Sequence, residues 1–196
     1  MPDLPEIEMQ ELLDLARNKS VNGRTRLVQV VGNLFFEETA STNERERELM
    51  AAILQQLIHD VEQSVRKALA DRLAVENFPH DLVSILSHDD TDVAHKILRS
   101  SEALQDLELI VIIQHRIFEH QLTISMRNDV SEAVSDALVE TGNVKVIKTL
   151  IKNDTGTISD NTLEYLVNES KTREPYQLPL LDRPDFSPHL AKPMYW

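Results

Sequence analysis

Three stretches of this chain can be laid over one another with their apolar residues in register, and such an internal repeat narrows the possible folds sharply. Val65-Arg66-Lys67-Ala68-Leu69-Ala70, Val93-Ala94-His95-Lys96-Ile97-Leu98 and Val146-Ile147-Lys148-Thr149-Leu150-Ile151 each carry apolar residues at the first, fifth and sixth places. Val65 and Val93 lie 28 positions apart; Val93 and Val146 lie 53 apart, close to two repeats of about 27. The skipped unit falls near His120–Ile124, where the match is poor. Further apolar pairs, Ile85-Leu86, Ile112-Ile113 and Leu138-Val139, precede the anchors by about seven residues. Each unit therefore reads as a helix, a short turn and a second helix. Acidic turns precede two of the second helices, in His88-Asp89-Asp90-Thr91-Asp92 and Ile58-His59-Asp60. A helix pair this short cannot bury its apolar face alone, so stacking on neighbours must supply the core. Leu69, Ile97 and Leu150 take the equivalent inward position in three units and should be nearly fully buried.

The rest of the chain agrees with helix. Four glycines in 196 residues leave little turn chemistry for an all-β fold. Between Glu44 and Leu73, Leu49, Ile53, Leu57, Val61, Val65, Leu69 and Leu73 recur every fourth residue, a stripe that predicts two helices broken near His59–Asp60. Ser41-Thr42-Asn43-Glu44 has the order of a capping box, and Asp129-Val130-Ser131-Glu132 resembles one. Gly142 suits a helix C-terminus, while Asn143 and Ser159 are suited to begin the next helices. The expectation is all-α: about ten helices paired into an α-α superhelix over residues 1–170. Five of the eight prolines (Pro175, Pro179, Pro184, Pro188 and Pro193) fall in the last 26 residues. They predict an extended, Pro-rich tail over 171–196, strapped down by Tyr176, Leu178, Leu180 and Leu181. Its apolar end, Met194-Tyr195-Trp196, reads as the start of a longer C-terminal region.

Charge and composition exclude several roles. Twenty basic residues against 33 acidic ones give a net charge of −13, which repels phosphate backbones. The absence of cysteine removes disulfides, thiol nucleophiles and thiolate metal sites, and fits a reducing compartment. Apolar runs fall short of the roughly 18 residues a membrane span requires, and MPDLPEIEMQ is too acidic for a signal peptide. A cytoplasmic protein without membrane or nucleic-acid partners is expected.

The segments "HDDTDVAHKILRSS" and "HDVEQSVRKALADRLA" place a turn aspartate and a valine before an Ala/Leu-rich second helix, and they resemble HEAT repeats. More closely, "VRKALADRLA" (65–74), "LRSSEALQDLELI" (98–110) and "RNDVSEAVSDALVETGNVKVIKTLIKN" (127–153) resemble an alphaproteobacterial domain-of-unknown-function family with HEAT-like repeats. The resemblance runs from about residue 24 to 196, and "RPDFSPHLAKPMYW" (183–196) looks like the start of a segment that members continue. It implies a HEAT-like solenoid and an interaction scaffold tied to bacterial signalling. It brings no catalytic residues.

Motifs for chemistry are sparse. No G-x-S-x-G, G-x-G-x-x-G or P-loop lysine motif occurs. His115 and Glu119 stand at i, i+4 on a predicted helix that ends near His120, a spacing that could present an imidazole and a carboxylate to zinc or iron. HEAT-like hydroxylases use repeated His-Glu dipeptides, and this chain has only Glu119-His120. A metal-dependent hydroxylase or hydrolase is thus the alternative reading, and no cofactor is expected. Glu37-Glu38 and Asp89-Asp90 read as solvated or helix-capping carboxylates.

The repeat register marks one surface. Lys67, His95 and Lys148 lie two places after the anchors, with Asp71, Arg99 and Lys152 six places after. At about 100° per residue these offsets point roughly 200° and 240° from the anchor, away from the core. Leu122 and Met126 interrupt this ladder with an apolar patch. In a HEAT-like array it would line the concave groove and receive another protein through an acidic or phosphorylated segment. Nucleic-acid binding by the same ladder is the weaker alternative, and an exposed apolar end of the stack invites a homodimer.

Overall fold

The computed structural model describes residues 20–36, 44–74 and 80–187, together with the single positions Asp14 and Arg17. Eleven α-helices and two short 3-10 turns are present among these residues, with no strand. The fold is all-α. It divides into two compact units, Met1–Ile97 and Leu98–Trp196.

In the first unit α1 (Val21–Phe36) packs along α2 (Glu44–Leu57) and α3 (Gln63–Leu73), and α4 (His80–Ser87) packs on both α2 and α3. The predicted break appears as a 3-10 turn over Ile58–Asp60. The four-residue stripe before it is not the buried one. Leu49 and Ile53 are 59% and 41% exposed, whereas Ala51, Leu54 and Ile58 enter the core. Steps of four residues advance about 400°, so such a stripe winds around a helix, while alternating steps of three and four stay on one face. After the break Val61, Val65, Leu69 and Leu73 are buried as the spacing predicts. The Ser41-Thr42-Asn43 part of the proposed capping box and the pair Glu37-Glu38 lie outside the described residues.

Arg66 ties α3 to the turn before α5 (Thr91–Ser100). Its Nε donates to Asp89 Oδ2 at 2.6 Å, one Nη donates to Asp89 Oδ1 at 3.0 Å, and the other donates to Val61 O at 2.8 Å. The hydrogen bonds to Asp89 hold the Arg66 pKa above its ordinary value against the opposing effect of burial. Asp89 is therefore a structural ion-pair partner rather than a solvated carboxylate. Replacing it with Ala is expected to cost about 1–3 kcal/mol, since the charge-assisted fork is largely shielded from water. An unfolding midpoint in urea that does not move would show that this clasp contributes nothing.

The second unit is built from helix pairs. It contains α6 (Asp106–His115) with α7 (Phe118–Ser125), then α8 (Glu132–Glu140) with α9 (Val144–Ile151). A third pair follows, α10 (Asp160–Ser170) with a 3-10 turn (Glu174–Tyr176) leading into α11 (Gln177–Leu181). First helix α6 packs on first helix α8, and second helices α7, α9 and α11 pack in succession. Two predicted caps are made: Asn143 Oδ1 accepts from Lys145 N, and Ser159 Oγ from Thr162 N. In the box-like Asp129–Glu132 stretch the cap is Ser131, whose Oγ accepts from Val134 N, rather than Asp129. Gly142 takes φ +66° at the end of α8, the left-handed conformation that favours glycine.

Burial fixes the register that was ambiguous at the middle unit. Val93, His120, Val146 and Tyr176 occupy one position, and Ile97, Ile124, Leu150 and Leu180 another, all of them buried. Leu69 is buried as well. A histidine thus stands where two of the other units have valine, which is why the match near His120 is weak.

The expected extended tail is corrected here. Residues 174–181 are helical, Tyr176, Pro179 and Leu180 are buried, and Leu178 is exposed. The prolines permit this because Pro175 and Pro179 sit in the first turn of short helical segments, where a missing N–H removes no intrahelical bond. The segment has the place and burial pattern of another second helix.

One residue past each second helix's terminal cap, a side chain reaches back to the preceding unit. Arg127 donates to Leu98 O at 2.6 Å and to Ser101 O at 2.8 Å. Asn153 Nδ2 donates to Ser125 O at 3.1 Å and Arg127 O at 2.6 Å. Arg183 donates to Ile151 O, Asn153 O and Gly156 O at 3.1, 3.0 and 2.8 Å. These carbonyls lie at or just beyond the C-termini of helices, where intrahelical donors run out, so each side chain ties its helix pair back to the segment before it. Burial pushes the Arg127 pKa down, with the charge of Asp106 opposing.

Candidate functional site

The ladder residues lie on second helices, in two separate units. Lys67 on α3 and His95 on α5 are exposed in the first unit. Arg99, at the end of α5, and Lys152, just after α9, are exposed in the second unit, while Leu122, Met126 and Lys148 are half-buried. Within this second unit the structure brings neighbours together: Arg99 Nη1 donates to Met126 O at 2.8 Å, and α7 packs against α9. Arg99 is therefore engaged at the C-terminus of α7, and a charge reversal there would disturb the fold as well as the surface.

Lys145 belongs to the same face and was missed from the sequence. Its Nζ lies 5.4 Å from the centroid of the Phe118 ring on α7, a cation–π contact between adjacent second helices. The signal was available in the spacing of Lys145, Lys148 and Lys152, which share one side of α9 at steps of three and four.

Charge separates between helix types in this unit. Helix α9 carries Lys145 and Lys148 and no acidic residue, with Lys152 following. Helices α8 and α10 carry Glu132, Asp136, Glu140, Asp160, Glu164 and Glu169 and no basic residue. Glu119 is the acidic residue of α7. Helix α9 is thus a locally basic element in a chain whose net charge is −13.

The metal reading loses its geometry. His115 ends α6 and Glu119 lies in α7, because Arg116 and Ile117 between them are extended. The two side chains therefore do not share a helical face. Among the described residues no group of three or more His, Asp or Glu is placed to hold a metal ion.

A Ser-His contact also has a structural explanation. Ser87 Oγ lies 3.1 Å from His88 Nδ1, yet that hydroxyl is fully buried and donates to Ser84 O at 2.7 Å. The neighbouring Asp89 carboxylate is held by Arg66. No attacking hydroxyl is presented.

The family model described as "Uncharacterised protein conserved in bacteria (DUF2336)" matches residues 93–196. The chain belongs to this family. The DUF2336 match begins at the anchor Val93 and takes in the helix pairs of the second unit, with Arg99, Leu122, Met126, Lys148 and Lys152. Lys67 lies outside it. No curated protein and no solved structure matches the chain. No described helix is long and apolar enough to cross a membrane.

Proposed function

We propose that this DUF2336 protein is a non-enzymatic interaction scaffold of the bacterial cytoplasm. Its stacked helix pairs, read as HEAT-like, present the second-helix face of the second unit to another protein in a signalling or regulatory assembly. The observation that carries this reading is the charge separation: Lys145, Lys148 and Lys152 gather on and after α9, while α8 and α10 carry acidic residues alone. A basic patch on a molecule of net negative charge orients the encounter with an acidic partner and repels its approach elsewhere. The engaged Ser87 and the separation of His115 from Glu119 favour this reading over the metal-dependent alternative.

A photo-crosslinking amino acid placed at Leu122, and separately at Glu164 on α10, tests the face in living cells. A reproducible covalent adduct with one other protein from Leu122, and none from Glu164, is the expected result. Adducts from Glu164 alone, or from neither position, would remove the second-helix face as the docking site. An adduct with a second copy of the chain would turn the reading to self-association.

A further inference from the structure

The second-helix face is not uniformly charged, and its pattern defines the kind of segment it would accept. Leu122 on α7 and Met126, the residue that ends it, stand four positions apart and are each half-buried, so they form a short apolar strip. On one side of this strip, α9 sets out Lys145, Lys148 and Lys152 over about 10 Å of helix length. At its C-terminal end the Arg99 guanidinium donates to Met126 O. The apolar strip is thereby bordered by the cations of α9 and by Arg99.

Resting on the scaffold reading above, we infer that the occupant is an acidic amphipathic helix of a partner protein. Its apolar stripe lies on Leu122 and Met126, and its flanking carboxylates face Arg99 and the α9 lysines. Helix-in-groove recognition uses apolar anchors spaced three and four residues apart, the spacing that a strip one turn long can receive. Carboxylates beside those anchors meet the cations at the rim, where they steer association and set orientation. A nucleic acid fits less well. A phosphate backbone offers no apolar side chain to fill the Leu122–Met126 strip. The flexible Met126 thioether lets the strip accept leucine, isoleucine or phenylalanine from the partner.

The test uses the full chain and a fluorescent synthetic peptide of about 16 residues, or four helical turns, with leucines along one face and glutamates beside them. Three comparators accompany it: the same peptide with Gln for each Glu, the same peptide with Ser for each Leu, and a duplex DNA of similar length. Fluorescence anisotropy should show the Leu/Glu peptide binding at least about tenfold more tightly than any comparator. Raising salt from about 0.05 to 0.5 M should weaken it by about tenfold, because rim charge pairs are screened over that range. Lys148→Gln with Lys152→Gln should reduce binding comparably, as should Leu122→Ser, with circular dichroism confirming that each variant is folded.

Equal binding of the Gln peptide would leave only an apolar groove, and equal binding of the Ser peptide only a charged patch. Preference for DNA would make this a nucleic-acid face. Each of those results overturns the inference, as does failure of the Leu/Glu peptide to bind. If that peptide fails while the Leu122 crosslink to a partner persists, the scaffold reading stands and the acidic helix is the wrong occupant. If both fail, the face itself is wrong.

Discussion

Replacing Arg183 with Ala should lower the stability of the helix pairs in the second unit by about 2–4 kcal/mol, because several charge-assisted hydrogen bonds to buried carbonyls are lost together. The side chain is 2% exposed and its guanidinium donates to Ile151 O, Asn153 O and Gly156 O, with Asp185 forming a second clasp on its outer edge. Truncation leaves Ile151 O and Gly156 O without the guanidinium donor where water has little access, and it also leaves a void. Arg183→Lys should recover little, because an ammonium on a flexible stem cannot reproduce a planar fork that meets several oxygens at once. Urea denaturation followed by circular dichroism measures both. A loss below about 1 kcal/mol for Arg183→Ala would mean that water replaces the guanidinium and that the clip is dispensable.

Leu150→Ala should cost about 2–5 kcal/mol, from lost transfer energy and the cavity that remains. Leu150 is fully buried, in the position taken by Ile97, Ile124 and Leu180 in other units. The cost should interact with that of Arg183. Leu150 and the carbonyls Arg183 caps belong to the same end of α9, so the double variant should lose less than the two singles added together. Full additivity would show that side-chain packing and carbonyl capping stabilise α9 independently. An unchanged unfolding midpoint in Leu150→Ala would show that the repeat register is wrong.

Some of the candidate surface could be read from spacing and some could not. The outward placement of His95, Arg99 and Lys152 follows from their offset to buried anchors, and the structure leaves all three exposed. Bonding is another matter. Arg99 looks like a free cation in the sequence, yet it donates to a carbonyl 27 positions away. His115 and Glu119 look like a helical pair because nothing in Arg116-Ile117 is a glycine or proline, but these two residues are extended and separate the helices. Periodicity cannot locate a break that carries no local breaker.

Sequence alone determined the all-helical class, the interval between units and the caps at Asn143 and Ser159. These features depend on backbone hydrogen bonds and side chains within a turn or two, where residue order and spatial neighbourhood nearly coincide. Tertiary packing decided that Ala51, Leu54 and Ile58, rather than Leu49 and Ile53, face the core. It also turned a proline-bearing stretch into α11 and gave Arg66, Arg127 and Arg183 their oxygen partners. The physical reason is range. An orphan carbonyl at a helix end can be capped by any donor the fold brings within about 3 Å, and separation along the chain places no limit on that donor.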